Sequence, residues 1–472
     1  MLLQPTSGRH RMMSPFPSSG APCGHQLITN QQQLTDFLLR GARPKSDWGV
    51  GLETEKLVVD RHTGEAVSYE RIRELLAKLD GIGGWQGIYE QGNLIGLQGK
   101  RSSVTLEPGG QLELSGKFCC DITCSWRDLN RYRQHIVTMG YELDLVFLGL
   151  GVHPFSSLDE IAWLPKSRYE IMAPYMLKSG DMGQRMMKQT AGTQVNLDFS
   201  DEEDCMRKLR VAQWLSPVCY ALFANSAILE GQPSNSLSLR GEIWSRTDPD
   251  RCGLIEQLFK PNAELNDYVE YALDVPLYLI ERQQQYIDLT QQRFTFRQFL
   301  EEGWKGEQAT LDDWNQHLST LFSEVRLRPQ IEVRSADSLP PRYTAAVAAF
   351  YKGLLYTEQG LSGVESIFSD LEPDDFRLLY QTSWREGLKT RIKDGTLQEV
   401  AIELLRIATL SLQEQYLNGD SGADESDFLR VMDEIASSGE TLAERLLKRW
   451  GGGRKEKLQL LFEHCGYDQE MT

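Results

Sequence analysis

Five short segments of this chain have the pattern of β-strands in which one face carries polar side chains that could bind metal ions or phosphate. They are residues 52–59, 106–116, 193–199, 236–244 and 325–337. Their period-2 alternation separates carboxylates, amides and guanidinium groups from apolar side chains. Carboxylate and amide oxygens are ligands that Mg²⁺ accepts, and arginine offers a planar fork for carboxylate or phosphate. The pattern favours an enzyme with a metal-nucleotide site laid across a sheet.

The polar faces differ in composition from ordinary solvated faces. An antiparallel sheet commonly leaves one face in water, which is the alternative interpretation of each strand. Solvated faces favour lysine, threonine and mixed charge, whereas these faces almost exclude lysine. The alternation places on them Glu53 and Glu55; Gln111, Glu113 and Ser115; Gln194, Asn196 and Asp198; Arg326, Arg328, Gln330, Glu332 and Arg334; and, in the less regular segment 236–244, Arg240 and Glu242.

Composition bounds the class of protein. The chain has 472 residues, 40% of them hydrophobic, which is enough for a large core. Its 50 Lys and Arg against 67 Asp and Glu give a formal charge of -17, which disfavours nucleic acid and anionic membrane as partners. No stretch approaches the roughly 18 apolar residues of a membrane span, and no secretory signal is recognisable. We expect a cytoplasmic protein with no nucleic-acid or membrane partner.

Cysteines and familiar motifs exclude several other classes. The eight cysteines are scattered apart from Cys119, Cys120 and Cys124, which lack a second Cys/His pair at zinc-ligand spacing. There is no P-loop and no G-x-S-x-G elbow, and residues 81–86 fail the G-x-G-x-x-G fingerprint at the last glycine. If a nucleotide binds, phosphates bridged by metal to an acidic sheet are the favoured route.

Helical periodicity takes over after the last polar strand. Residues 200–203 form a capping box that predicts a helix to about Asn225, and residues 344–356 predict another. From Leu397 the pattern is wholly helical, interrupted by a polar loop at residues 418–426. We therefore expect a loose extension over residues 1–30, a catalytic core over 31–395 and a helical region over 396–472 that packs on the core.

Long motifs in this order resemble the plant-type glutamate-cysteine ligase family. They are GLETEKLV, LEPGGQLELSG, PKSRYEIM, TQVNLDFSDEEDCMRKLR, LFANS, IWSRTDPDR, DYVEYALDVPLY, TFRQFL and LRPQIEVRSAD, between about Gly51 and Gly395. The resemblance implies an α+β fold similar to that of glutamine synthetase: a curved antiparallel sheet with a polar catalytic face, flanked by helices, followed by a helical C-terminal region.

The resemblance also implies a reaction. ATP would phosphorylate the γ-carboxylate of L-glutamate, and the amine of L-cysteine would attack the γ-glutamyl phosphate in the first step of glutathione synthesis. ATP and Mg²⁺ would be required, and the protein would be a monomer or a homodimer. Phosphoryl transfer of this kind depends on positioning and charge neutralisation, which the polar strands can supply.

Roles for individual residues follow from the same resemblance. Glu332 and Arg334 are the candidate catalytic pair, and Asn196, Gln194 and Arg334 are the candidate nucleotide contacts. Gln194 stands where many ligases of the superfamily are expected to carry a metal-binding histidine. The expected Mg²⁺ ligands are Glu53, Glu55, Glu107, Gln111, Glu113 and Glu332.

The substrate carboxylates need cationic anchors. Arg251 is the first candidate anchor for glutamate and Arg168 the second, while Trp244 and Tyr169 are candidate walls of the cysteine pocket. Arg240 and Arg246 are weaker candidates.

Two questions stay open on sequence alone. The positions of the paired regulatory cysteines of plant members are occupied here by Leu289, a cysteine-free segment at 301–312 and Ala345, so their redox control is not expected. The amine acceptor could also differ from cysteine, or the protein could bind nucleotide and metal without turnover.

Overall fold

One large antiparallel sheet organises the fold. The computed structural model describes residues 26–468, so the predicted extension over residues 1–30 lies almost wholly outside the described residues. The strands are β1 (Val50–Asp60), β2 (Gln86–Glu90), β3 (Asn93–Gln98), β4 (Ser103–Leu106), β5 (Leu112–Ser115), β6 (Leu145–Leu148), β7 (Gly192–Leu197), β8 (Ile228–Leu229), β9 (Gln232–Pro233), β10 (Cys252–Gly253), β11 (Leu279–Arg282), β12 (Gln285–Asp288), β13 (Phe322–Ser323), β14 (Val325–Leu327), β15 (Ile331–Asp337), β16 (Arg391–Ile392) and β17 (Gly395–Thr396).

Helices surround the sheet and make up the C-terminal part of the chain. They are α1 (Gln32–Leu39), α2 (Tyr69–Leu79), α3 (Ile122–Glu142), α4 (Ser167–Ser179), α5 (Gly183–Gln189), α6 (Glu202–Leu222), α7 (Leu239–Ser245), α8 (Leu265–Asp274), α9 (Phe296–Glu302), α10 (Leu311–Leu318), α11 (Pro341–Leu355), α12 (Glu358–Phe368), α13 (Pro373–Glu386), α14 (Leu397–Leu417), α15 (Arg430–Ser438), α16 (Leu442–Arg449) and α17 (Arg454–Cys465). Among these helices none is both long and apolar enough to cross a membrane.

The sheet has nine strands and places the predicted polar strands side by side. Its order is β14-β15-β7-β1-β5-β4-β3-β2, with β6 paired to the second half of β1. All of its ladders are antiparallel. β1 is the central strand, because β5 and β7 pair on its two sides at the same residues, Glu53 and Thr54. The expected α+β fold built on an antiparallel sheet is confirmed.

The two faces of the sheet have opposite character. Leu52 of β1, Leu114 of β5, Val195 of β7 and Val333 of β15 are buried in the main hydrophobic core. Helices α3, α6 and α11 contact these central strands. At roughly 25 cal/mol per Å² of apolar surface, burial of this layer is the main source of stability, which frees the other face for polar groups.

The polar face of β1 becomes apolar towards the end of the strand. Leu57 and Val59 continue the alternation of Glu53 and Glu55, but they join a second hydrophobic cluster with Leu461 of α17. The C-terminal helices therefore cover the apolar end of the face that carries the carboxylates.

Two predicted strands are wrong in their form. Residues 325–337 are not one strand but the hairpin β14–β15, because Pro329 has no N–H to donate to a ladder and Arg328 N–H bonds to the Gln330 carbonyl at 3.0 Å. Residues 236–244 enter the helix α7, whose N-cap Ser238 accepts a hydrogen bond from Gly241 N–H.

The predicted helices are confirmed with small shifts of their ends. The helix expected from residue 200 is α6, and Asp201 is its N-cap, accepting a hydrogen bond from Asp204 N–H at 3.0 Å. The periodic pattern from Leu397 is α14, which opens with a capping box between Thr396 and Glu399.

The three clustered cysteines lie where β5 leads into α3. Cys119 pairs with Val50 of β1 through the backbone, and its sulfur lies 2.6 Å from that of Cys124. Burial raises the pKa of the Cys119 thiol to about 12, which disfavours the thiolate needed for disulfide exchange.

A buried ion pair joins the C-terminal region to the rest of the fold. Glu425, which is fully buried, accepts hydrogen bonds from Lys352 Nζ of α11 and from Ile122 N–H at the start of α3. Ser421 Oγ also donates to Glu425 at 3.0 Å. One carboxylate therefore ties α3, α11 and the loop after α14 together.

Replacing Lys352 with methionine should reduce the free energy of unfolding by about 3–5 kcal/mol, because the Glu425 carboxylate is left buried without its cation. The double variant Lys352→Met/Glu425→Gln should be less destabilised than the single variant, since no unpaired charge remains. Urea titrations measure both.

The matched control is Arg406→Met, which breaks an exposed pair with Glu403 on α14 and should cost at most about 0.5 kcal/mol. A Lys352→Met variant as stable as this control would contradict the role given to the buried pair.

Candidate active site

Carboxylates face one another across the central strands. In the register of β1 and β5, Glu55 lies directly opposite Glu113 and Glu53 lies opposite Ser115. On the other side of β1, Glu53 is opposite Gln194 of β7. Directly opposed like charges destabilise a sheet, so this pairing calls for compensation.

Amide and hydroxyl groups hold these carboxylates in place. Asn196 Nδ2 donates to Glu53 at 2.6 Å, and Gln194 Nε2 donates to Glu55 at 3.1 Å. Gly192 N–H donates to the other oxygen of Glu55 at 2.6 Å. Thr105 of β4 donates its hydroxyl to Glu113 at 2.6 Å. The predicted polar residues of β1, β5 and β7 therefore meet in one connected cluster.

Arginines close the cluster at the β14–β15 hairpin. Arg326 binds Glu332 with both Nε and Nη2, at 2.7–3.0 Å. Arg334 Nη1 donates to the same carboxylate and also to the side-chain oxygen of Gln194. Although burial opposes ionisation of Glu332, Arg326 and Arg334 lower its pKa to about 2. Glu332 therefore orients Arg334 as a charged partner.

The remaining carboxylates are electrostatically strained. Burial, followed by the charge of Glu113, raises the pKa of Glu55 to about 8. Burial and the charges of Glu332 and Glu113 raise the pKa of Glu53 well above its usual range. The pKa of Glu113 is also raised, by burial and then by Glu107. A cation placed among these groups would relieve their repulsion.

A lysine that the sequence analysis did not single out lies at the edge of the cluster. Lys166 Nζ donates to the Leu106 carbonyl at 2.6 Å, next to Glu107 in the turn after β4. Burial, followed by the charge of Arg168, lowers the pKa of Lys166 to about 8. Lys166 lies in the same motif, PKSRYEIM, as Arg168. Membership of that motif is the signal in the sequence that could have identified it.

Arg168 and Tyr169 lie on this same edge. Arg168 Nη2 donates to the Tyr169 hydroxyl at 3.1 Å, while Arg168 Nε is buried without a hydrogen-bond partner. Tyr169 is itself buried, beneath the guanidinium of Arg168, which lies 5.0 Å from the centre of its ring. Tyr169 therefore supports the guanidinium of Arg168 through its hydroxyl and its ring.

Two predicted site residues have their polar groups already engaged. Arg251 is 0% exposed, and its three guanidinium nitrogens donate to Asp248, Thr320 and Pro276. Gln111 accepts from Gly109 N–H and donates to two carbonyls near the start of β7, Met187 and Thr190. In this structure the guanidinium of Arg251 is fully hydrogen-bonded, and Gln111 holds the turn before β5 against residues 187–190.

Trp244 of α7 lies over the arginines of the site. Its ring centre is 5.4 Å from the Arg334 guanidinium carbon and 5.6 Å from that of Arg240. Arg246, by contrast, is exposed and pairs with Asp181 and Glu242. The sheet and α7 therefore bring together Arg334, Trp244 and Arg240 but not Arg246.

The donor set fits Mg²⁺ in chemistry. Its oxygens are hard ligands, and burial followed by the charges of neighbouring carboxylates raises the pKa of Glu53 and of Glu55. Within residues 26–468, no three His, Cys, Asp or Glu side chains form a cluster that could hold a metal ion. Mg²⁺ is commonly held by one or two carboxylates together with waters and substrate phosphates, so the carboxylates present suit a metal carried in with a nucleotide.

The α+β fold built on this open antiparallel sheet is also found in a known ligase structure. A solved structure of glutamate-cysteine ligase from Francisella tularensis shares the fold, with a TM-score of 0.52 over 88% of both chains and 13% sequence identity.

Sequence comparison gives the family. Residues 49–464 match glutamate-cysteine ligase family 2. Chloroplastic glutamate-cysteine ligase A of Oryza sativa subsp. japonica is 37% identical over 98% of this chain and 94% of its own. The chloroplastic enzyme of Arabidopsis thaliana is 37% identical over 94% and 87%. The chain belongs to glutamate-cysteine ligase family 2.

The same relatives correct one expectation. The enzymes from Oryza sativa, Arabidopsis thaliana and Nicotiana tabacum are all named as chloroplastic. The cytoplasmic location expected from the low cysteine content and the lack of a secretory signal is therefore wrong, because neither feature distinguishes the cytoplasm from a plastid. The relatives point to a plastid.

The raised pKa of Glu55 gives a test of the strained carboxylates. Because its folded-state pKa of about 8 exceeds the unfolded value of 4.5, this group stabilises the fold fully below the unfolded value and loses that contribution as the pH rises through about 8. In metal-free buffer, the melting temperature of Glu55→Gln should therefore exceed that of the wild type by an amount that grows between about pH 4.5 and pH 8 and is constant at higher pH.

Added Mg²⁺ should narrow that difference by stabilising the wild type. The control is Glu170→Gln, an exposed position on α4, which should show no such trend. A constant difference between Glu55→Gln and the wild type at every pH would count against the strained carboxylate.

Proposed function

We propose that this protein joins the γ-carboxylate of L-glutamate to the amine of L-cysteine at the expense of ATP. The product is γ-glutamylcysteine, which feeds glutathione synthesis. The observation that carries the proposal is the sheet face on which Glu55, Glu113 and the pair Glu332–Arg334 meet, in a member of this family.

The reaction runs through an acyl phosphate. An oxygen of the γ-carboxylate attacks the γ-phosphorus of ATP, and the bond to the bridging oxygen breaks as ADP leaves. Arg334 neutralises charge on the transferred group, since Glu332 and Gln194 occupy only its Nη1 and hold the guanidinium in place. The cysteine amine then displaces phosphate from the carbonyl carbon.

Mg²⁺ would be held by one or two of Glu53, Glu55, Glu107 and Glu113 together with water and substrate phosphates, and it would neutralise the triphosphate. Asn196 and Gln194 keep Glu53 and Glu55 pointed at that position through hydrogen bonds of 2.6 and 3.1 Å. Glu332, bound by two arginines, serves as the support of Arg334 and is less suited to the first expectation of a direct metal ligand.

Glutamate is anchored at the edge where Arg168 and Lys166 lie. Arg168 keeps an unpartnered buried Nε, and this cation suits a carboxylate of the substrate better than the fully engaged Arg251. In this proposal the core over residues 31–395 holds the site, and the C-terminal helices α14–α17 pack against it. Magnesium, these substrate contacts and this division of the chain are parts of the proposal.

The decisive experiment measures ADP release in the presence of ATP and Mg²⁺. Release should require both glutamate and cysteine, and other amines should substitute poorly. Release with glutamate and a different amine in preference to cysteine would redirect the proposal to another γ-glutamyl acceptor. Nucleotide binding without any turnover would identify a regulatory binding protein instead.

Replacing Glu332 with glutamine should lower kcat by about 10²–10³-fold with the fold retained, because Arg334 loses the charged partner that orients it. The KM for glutamate should change much less. Circular dichroism and steady-state kinetics check both statements. Near-normal turnover at saturating Mg²⁺ would exclude this role for Glu332.

Oxygen labelling tests the intermediate. With ¹⁸O in the γ-carboxylate of glutamate, label should appear in the released phosphate, since one carboxylate oxygen becomes the bridging oxygen of the acyl phosphate. Label in AMP, with pyrophosphate as the other product, would instead establish adenylation.

A further inference from the structure

Arg240 is a buried cation whose hydrogen-bond donors are mostly unused. Its charge opposes the rise in the pKa of Glu55 and Asp337, but it makes no ion pair with either carboxylate. It is 2% exposed, yet no carboxylate within the described part of the chain forms a salt bridge with it. Of its side-chain nitrogens only Nη1 donates a hydrogen bond, at 3.1 Å to the backbone carbonyl of Arg334. Arg240 Nε is buried without any partner. Arginine does not give up its proton in proteins, so this charge remains.

Two residues near Arg240 also have N–H groups that are not used in hydrogen bonds. The indole Nε1–H of Trp244 is also buried without a partner. Among the described residues, Arg334 has hydrogen-bond partners only at Nη1, which leaves its Nε and Nη2 available. The Trp244 ring lies between 5 and 6 Å from both guanidinium groups, so these donors border one space.

The protein backbone is built to admit Arg240 at this place. A Cβ added at Gly192 would meet Arg240 Nη2 at 2.6 Å, so a side chain there would displace the guanidinium. The same Gly192 donates its N–H to Glu55. Arg240 thus packs directly behind the strand that positions the carboxylates, on the side of Arg334.

We propose that Arg240, Trp244 and Arg334, here called the arginine–tryptophan cluster, bind the phosphoryl group as it passes from ATP to glutamate. Buried N–H groups without hydrogen-bond partners are costly, and an anion that accepts from them would complete the site. This inference rests on the proposed function and deepens it, because it adds Arg240 to the groups that touch the reacting phosphorus.

The chemistry favours a tetrahedral oxyanion over a carboxylate. A phosphoryl group presents three oxygens, which can accept from two guanidinium groups and an indole at once. The cluster is also joined through Gln194 to Glu55, on the side where nucleotide phosphates are expected. During transfer the bond to the ADP oxygen breaks as the bond to the carboxylate oxygen forms, and the donors stay on the three equatorial oxygens.

Arg240→Gln should lower kcat by about 10²–10³-fold while leaving the KM for glutamate within about threefold of the wild type. Inhibition by inorganic phosphate should weaken by at least about tenfold, since phosphate occupies the same donors as the product. Arg240→Lys keeps the charge but loses the planar fork, so its kcat and its inhibition by phosphate should lie between those of the wild type and those of Arg240→Gln. Steady-state kinetics with phosphate as inhibitor provide all of these values.

The matched control is Arg246→Gln, which removes an exposed arginine one residue past the end of the same helix and should change neither kcat nor phosphate inhibition. An increase in the KM for glutamate with kcat preserved would overturn the proposal in favour of a substrate carboxylate at this cluster. Unchanged phosphate inhibition in Arg240→Lys would also overturn it, and that variant decides the matter if Arg240→Gln does not fold.

Failure of this inference is distinguishable from failure of the proposed function. The wild-type enzyme tests the function through ADP release that depends on glutamate and cysteine, whatever Arg240 does. Only the variants and their response to phosphate test the cluster.

Discussion

The site depends on the repulsion between carboxylates fixed opposite one another on β1 and β5. Two charges about 4–5 Å apart at an effective dielectric near 20 repel by roughly 3–4 kcal/mol. The register of the central strands fixes the backbones of Glu55 and Glu113 directly opposite one another. The fold therefore concentrates negative charge at one place on the sheet. A bound cation that also contacts the nucleotide phosphates would neutralise this charge.

The sheet tolerates this repulsion because one face provides the stability and the other face carries the polar site. Helices α3, α6 and α11 bury the apolar face, and α17 covers the apolar end of β1 through Leu57 and Val59. The C-terminal region is held in turn by the buried Lys352–Glu425 pair. Stability is gained away from the carboxylates, so their mutual repulsion is tolerated where chemistry requires it.

Period-2 alternation was sufficient to predict β1, β5 and β7 together with their polar faces, since that pattern is local. It failed at residues 325–337, where Pro329 turns the chain into a hairpin, although Arg326 still shares a face with Glu332 through cross-strand pairing. The register that opposes Glu55 to Glu113 is a tertiary property. Burial is tertiary as well, which is why Arg251 could be taken from sequence as a substrate anchor although its donors are engaged.

The arginines of this site differ in how many of their N–H groups are hydrogen-bonded within the protein. Arg326 is bound by Glu332 and by backbone carbonyls, so it serves structure. Arg334 gives one nitrogen to Glu332 and Gln194 and keeps two, whereas Arg240 gives one nitrogen to a carbonyl and, among the described residues, forms no salt bridge with a carboxylate. Buried cations with unused hydrogen-bond donors are costly, so Arg240 and Arg334 mark the place where an anion would bind. Satisfied arginines then orient the strand, and the unsatisfied ones are left for the substrate.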